Sequence, residues 1–168
     1  MRNVILSMVV LATMVCVGCE NWGKKDEGGE MKSSDSTMMQ KSLYDRLGGR
    51  PAITAVVDDF VNRAAGDPKV NFTRKGVPGA EWDATPENVK HLKMQITDFV
   101  VMATGGPNNY KGKSMKESHR NMQITDAEFG AIAADLKASL DKLNVPAKEQ
   151  SDLMAVVGST RKDIVTKM

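Results

Sequence analysis

From Ser42 onward, the apolar residues of this chain return at every third or fourth position. That spacing gathers them on one face of a helix, whereas a half-buried strand needs strict alternation. Residues that stop helices cut the run into segments. Ser42 can cap a short helix, Leu43 to Leu47, closed by Gly48-Gly49. Pro51 suits the first turn of the next helix, whose Ile53, Val56, Val57, Phe60, Val61 and Ala64 form one stripe. Gly66-Asp67-Pro68 ends it. Residues 69–84 carry Gly76, Pro78 and Gly79 without a clean period, and read as a loop with a short helical turn at Val70 to Arg74.

Thr85-Pro86-Glu87 is a strong helix start: a capping hydroxyl, Pro in the first turn, and an acid near the positive end of the dipole. The helix carries Val89, Leu92, Ile96, Phe99, Val100 and Ala103, and stops at Gly105-Gly106-Pro107. Beyond the loop 108–112, a short helix around Ser114 to Met122 contains His119. Thr125 to Glu128 has capping-box spacing and opens a helix bearing Phe129, Ile132, Ala133, Leu136, Leu140 and Leu143. Asn144-Val145-Pro146 breaks it. A last helix, about Ala147 to Thr166, has Leu153, Val156, Val157, Thr160 and Ile164 on one side. No useful strand-period segment and no repeat occurs, so the expected fold class is all-α.

The first segment reads as an address. Arg2 precedes Val4 to Val17, a mostly apolar run shorter than the ~20 residues that span a bilayer as a helix. It ends in Val15-Cys16-Val17-Gly18-Cys19. A small residue directly before a Cys resembles the bacterial lipoprotein cleavage site, although Cys16 sits where that pattern usually has Leu. On this reading 1–18 is a lipoprotein-type signal peptide, Cys19 is lipidated, and the protein is anchored in the cell envelope. An ordinary signal peptide or a retained anchor is the other reading. Residues 19–41, rich in Gly, Ser and charge, read as a flexible tether, and 42–168 as the folded domain. Trp22 near the lipid end would suit the membrane interface.

Chemistry within the domain is narrowly bounded. Both cysteines precede it, so it has no disulfide, no Cys nucleophile and no Cys-based zinc site. A net charge of +2 gives no reason to expect nucleic acid. With 12 Met and 5% aromatics, the composition suits helix packing around an adaptable pocket. Phosphate-binding loops and nucleophile elbows are absent. Only two histidines exist, His91 and His119, without the further ligands that a zinc site would need. On composition alone, a lone His is more often a surface or structural residue than a ligand.

Its neighbours change that reading of His119. Leu43-Tyr44-Asp45-Arg46-Leu47-Gly48-Gly49, then Ala52-Ile53, Val56-Val57-Asp58-Asp59-Phe60 and Asp67-Pro68, resemble the opening of the group 1 truncated haemoglobins. Gly105-Gly106-Pro107, Tyr110, Gly112, Met115 and His119 reproduce that family's GGP-x-x-Y-x-G-x-x-M-x-x-x-H signature at full spacing, and Leu143 to Pro146 also fits. The similarity covers Ser42 to the C terminus. It implies a truncated globin-like helical sandwich around a haem, with His119 as the proximal iron ligand. A neutral imidazole is a good ligand for haem iron. Met115, one turn earlier on the same face, would pack on the porphyrin. Tyr110, Lys111, Lys113 and Arg120 would meet the haem carboxylates or simply form a solvated positive loop.

The same resemblance places Leu92, Ile96 and Phe99 on the distal wall, completed by Phe60, Val61 and Phe72. Many family members have Tyr where Val61 stands and Gln where Ile96 stands, and both hydrogen-bond bound oxygen. Here both positions are aliphatic, although a slip of one residue would bring in Gln95. Weak retention of oxygen is the expected consequence. His91 lies roughly 100° off the pocket stripe. It is either a surface residue or, as in some relatives, a second iron ligand. Trp82 either lids the haem edge or fills core. The expected function is binding of oxygen or another diatomic gas. The alternative is a nitric oxide dioxygenase or peroxidase-like enzyme, which would need an external electron donor because the chain has no flavin or iron–sulfur domain. A helical lipoprotein that has lost haem is a third reading, against which the full signature around His119 argues.

Overall fold

The computed structural model describes residues 41–167. The leader 1–18 and all of the tether 19–41 except Lys41 lie outside the described residues. Helix α1 spans Leu43–Arg46, and Ser42 Oγ accepts from the Asp45 N–H at 3.1 Å. Gly48 and Gly49 sit at φ +92° and +72°, so the chain turns directly into α2, Gly49–Gly66. Helix α3, Pro86–Ala103, is capped by Thr85 Oγ1, which accepts from Asn88 N–H at 3.2 Å. Then follow α4 (Met115–Ser118), α5 (Asp126–Lys142), α6 (Ala147–Ser159) and α7 (Arg161–Ile164). Among the described residues the only extended pairing is an isolated bridge between Thr125 and Lys167. The chain is all-α, as its periodicity predicts.

Helix α2 lies between α3 and α5, α5 packs on α6, and α1 joins α2 to α6. The core is built from the α2 stripe (Ile53, Val56, Val57, Val61), Val101 of α3, Leu136 and Leu140 of α5, and Leu153 of α6. Full burial of each larger side chain stabilises by ~1.5–3 kcal/mol. Ion pairs tie the rim. The Arg46 guanidinium reaches Glu149 at 2.7 Å and Asp152 at 2.5 Å, pinning α1 to α6. Asp59 of α2 accepts from Lys142 at the end of α5. That hydrogen bond, with help from Ser139 and Arg63, holds the Asp59 carboxyl down at about 2.

Four local expectations are corrected. Val70 to Arg74 forms no helical turn. The loop instead advances through successive tight turns, closed by Val70 N–H to Asp67 O, Arg74 N–H to Asn71 O and Val77 N–H to Arg74 O. Asn71 and Arg74 adopt φ +46° and +53°, which a right-handed helix cannot include. The helix around 114–122 is a single turn, Met115–Ser118, with His119 as its C-cap. Asn121 (φ +68°) and Gln123 (φ +51°) prevent continuation. The last helix breaks at Thr160, whose hydroxyl donates back to Val157 O at 2.7 Å. It restarts as α7, and Thr166 and Lys167 then both donate to Ile124 O. Leu143, placed on the α5 stripe by periodicity, ends as the C-cap of that helix and is 39% exposed.

Candidate functional site

A cavity of about 1220 Å³ opens between α2, α3, α5 and the segment 110–119. Pockets for small molecules and cofactors usually measure ~300–1,000 Å³, so a large planar group has room here. Phe60, Val61, Phe72, Leu92, Ile96, Phe99, Tyr110, Lys113, Met115 and His119 all line it. Residues separated by up to 59 positions thus border one cavity, since α2, α3 and the 110–119 segment converge around it. Asn88, His91, Lys111 and Lys113 are lining residues that are also solvent-exposed, and so mark the mouth.

The motif ending in His119 is a scaffold, and each of its members has a mechanical reason. Gly105 stands at φ +89°, while Gly105 N–H donates to Met102 O at 3.2 Å and Gly106 N–H to Val101 O at 2.8 Å. This pair of bonds closes α3 in a Schellman turn. A Cβ at Gly106 would lie 2.6 Å from Tyr44 Cδ2 and 2.8 Å from Val101 Cγ1, so only glycine lets the chain pass. Tyr110 stands its ring edge-on to Phe99 at 5.6 Å and donates its hydroxyl to Lys113 O at 2.6 Å. A Cβ at Gly112 would fall 2.5 Å from Tyr110 Cζ. Ser114 then caps α4 in a reciprocal box with Glu117. The hydrogen bonds from Ser114, aided by Arg120 and Lys113, hold the Glu117 carboxyl below its ordinary value.

His119, half-buried, is the end point of this chain of constraints. Its Nδ1 lies 2.8 Å from Met115 O. A carbonyl only accepts, so Nδ1 carries the proton and Nε2 keeps its lone pair. Such a bond from the second ring nitrogen fixes both tautomer and ring orientation in metal-ligating histidines.

The opposite wall is apolar. Val61 is 1% exposed, and Leu92 and Ile96 are half-buried. Nearby donors are already engaged. Trp82 Nε1 donates to Phe72 O at 2.9 Å while its ring leans on Phe72 at 5.5 Å. Gln95 Nε2 lies 3.4 Å from His91 Nε2 near the mouth, and His91 is exposed. Trp82 packs against Phe72 and borders the cavity.

Sequence reasoning missed Arg74. It is only 6% exposed although it sits in the loop 69–84. Its guanidinium reaches Glu128 at 2.6 Å and Met122 O at 2.5 Å, tying that loop to α5 and to the chain just after His119. Burial pushes the Glu128 carboxyl up, but hydrogen bonds from Thr125 and Arg74 overcome this and hold it below its ordinary value. Breaking such a pair by removing one partner costs ~3–5 kcal/mol. The capping box located Glu128; nothing local in the loop marked Arg74. Ile132 and Leu136, read only as core stripe, also border the cavity.

The comparisons with known proteins agree with this geometry. The family model for bacterial-like globins matches residues 42–166. The chain is 34% identical over 127 residues to the group 1 truncated hemoglobin of Tetrahymena pyriformis, covering 76% of this chain and 97% of that one. It is 30% identical over 125 residues to the group 1 truncated hemoglobin GlbN of Mycolicibacterium paratuberculosis, covering 74% of this chain and 85% of the relative. The crystal structure of the Tetrahymena pyriformis protein in its Fe(III) form superposes with a TM-score of 0.64, over 76% of this chain and all of that one. The 2/2 hemoglobin of a Synechococcus species, solved in the cyanomet state with covalently attached heme, gives 0.63 at 28% identity, over 74% of this chain and 98% of that one.

Proposed function

The chain belongs to the group 1 truncated haemoglobins, and on that premise we propose that it binds diatomic gases at a haem held by His119. The observation that carries the proposal is the imidazole whose Nδ1 proton is committed to Met115 O, leaving an Nε2 lone pair at the wall of a largely apolar cavity. The residues fit the group. Among the described residues no cluster of three or more His, Cys, Asp or Glu side chains offers a cage for a bare ion. A single neutral imidazole is instead the donor set of a metal already coordinated by a macrocycle. Phe60, Phe72, Leu92, Ile96, Phe99 and Met115 supply apolar surface for the ring, and Lys111 and Lys113 stand at the mouth for its carboxylates.

Haem supplies the iron to which a diatomic gas can bind. The protein's part is to orient His119, to keep water from the apolar interior, and to set how firmly the gas is retained. Val61, Leu92 and Ile96 are aliphatic where the resemblance places the distal side, and Gln95 and His91, which also border the cavity, lie 3.4 Å from each other near its mouth. Gases that depend on a hydrogen bond from those three aliphatic positions are expected to leave quickly. The test is optical. The full-length chain reconstituted with haem and reduced is expected to show a globin Soret band that shifts under carbon monoxide. A chain that takes up no haem ends the reading. Rapid consumption of nitric oxide by the oxygenated protein, with a reductant supplied, would move the function to the dioxygenase class.

Anchorage at the cell envelope through Cys19 is part of the same proposal and rests on the sequence alone. Replacement of Cys19 by Ser is expected to move the protein from the membrane fraction to the soluble fraction. Unchanged membrane recovery would favour a retained apolar anchor.

A further inference from the structure

Four cations crowd the segment that carries His119: Lys111, Lys113, Lys116 and Arg120. All four are exposed. Elsewhere on the domain many cations are engaged: Arg46, Arg50, Arg63, Arg74, Lys93, Lys137, Lys142, Lys148 and Arg161 each reach a carboxylate. Among the described residues, none of the four around His119 does. The only acid among residues 111–120 is Glu117, and its carboxylate is occupied by the Ser114 hydroxyl at 2.7 Å and the Ser114 N–H at 3.2 Å. Counting Lys111, Lys113, Lys116 and Arg120 against Glu117 leaves an excess of three positive charges in this segment. Two of the lysines, Lys111 and Lys113, also border the mouth of the cavity.

We propose that this surface docks a small acidic one-electron carrier protein, which delivers its electron at the mouth of the haem cavity. The inference rests on the haem reading above. The step moves one electron: the carrier is oxidised by one, ferric haem iron becomes ferrous, and no bond or proton changes place. A ferrous gas-binding protein that oxidises must be reduced again, and the globin match over residues 42–166 supplies a haem site to which that electron must be delivered. A patch of one sign steers an oppositely charged partner and raises its association rate by ~10–10³-fold.

A protein partner is favoured over an anionic membrane by what the patch lacks. A helix that lies on a membrane needs an exposed apolar face to insert. Here the exposed residues from Asn108 to Asn121 are Asn108, Asn109, Lys111, Lys113, Ser114, Lys116, Glu117, Arg120 and Asn121, with no apolar side chain among them. Met115 is half-buried and lines the cavity.

The experiment mixes the ferric, haem-loaded full chain with a reduced plant-type [2Fe–2S] ferredoxin in a stopped-flow instrument at several ionic strengths. Binding of the oxidised ferredoxin is measured in parallel by calorimetry. The second-order reduction rate is expected to fall steeply with salt. The variant Lys116→Glu is expected to lower the rate about threefold or more at low salt and to weaken the calorimetric binding. Its Soret band and carbon monoxide spectrum should match the parent. A rate and a binding constant indifferent to both salt and the Lys116→Glu substitution would overturn the proposal. So would tight binding to phosphatidylglycerol vesicles by a chain that ignores the ferredoxin. Failure of the haem reading shows itself separately and earlier, as a chain with no Soret band before any reductant is added.

Discussion

Replacing His119 with glycine is expected to abolish normal haem ligation while leaving the helices in place. The backbone tolerates the change: His119 is the C-cap of a one-turn helix, outside the interior of any long helix that a glycine would weaken. The ring, by contrast, has no substitute. His91 is the only other imidazole, and it lies exposed near the mouth beside Gln95. Loss of a mere orienting partner around a metal ligand costs ~10–100-fold in affinity. Loss of the ligand itself should therefore speed haem release by at least about 100-fold. Far-ultraviolet circular dichroism should stay close to the parent, and the Soret band should lose its globin form. Added imidazole, which can enter the space left by the ring, should restore much of the spectrum. A His119→Gly protein with an unaltered Soret band would show that the iron is held elsewhere, and the His91→Ala variant would then be the next to examine.

The second large effect concerns the distal wall. Introducing a tyrosine at Val61 is expected to slow oxygen release by about 10- to 100-fold. A hydrogen bond to a charged or strongly polarised acceptor is worth ~1.5–3 kcal/mol, and each 1.4 kcal/mol is a factor of about ten. Val61 is almost fully buried and borders the cavity, so a hydroxyl there would enter a largely apolar site where a hydrogen bond is worth more than in water. The added ring is accommodated only because the cavity is large; overfilling a tight core typically costs ~1–3 kcal/mol. Val61→Phe is the control, because it adds the same ring without the donor. If both variants slow oxygen release equally, volume rather than hydrogen bonding governs retention. Carbon monoxide release should change little in either, since that ligand makes weaker use of a donor.

Val61→Tyr and His119→Gly rest on different kinds of information. The position of Val61 was legible from Asp58-Asp59-Phe60 and the period of α2, because a helix repeats its face regularly and one fixed residue fixes the rest. The period of α3 likewise put Leu92 and Ile96 on one face, while their distal role is what the family resemblance implies. Where the chain abandons regular backbone, local rules lost their hold. The loop 69–84 was readable only as a loop. Its route is set by tight turns with left-handed Asn71 and Arg74, and by the Arg74 guanidinium reaching Glu128 across 54 positions. No propensity encodes such a contact. The early end of α4 follows from left-handed Asn121 and Gln123, and the break at Thr160 from its hydroxyl donating to Val157 O. Distant packing sets the chain end, where Thr166 and Lys167 donate to Ile124 O.

The sequence by itself determined the helices, their caps, the stripe that each turns inward, and the motif that ends in His119. Those are local properties: periodicity, a Ser or Thr before a helix, a glycine where no Cβ fits. Tertiary structure alone decided that the stripes enclose a cavity of about 1220 Å³ instead of closing on one another. It also decided which imidazole nitrogen stays free, because that depends on Met115 O lying 2.8 Å from Nδ1. It left the cations of residues 111–120 without a salt bridge among the described residues, while those on α1, α2 and α5 found theirs. The physical reason is range. Backbone preference acts over one helical turn, whereas burial, tautomer and ion pairing depend on groups that meet only when distant segments pack.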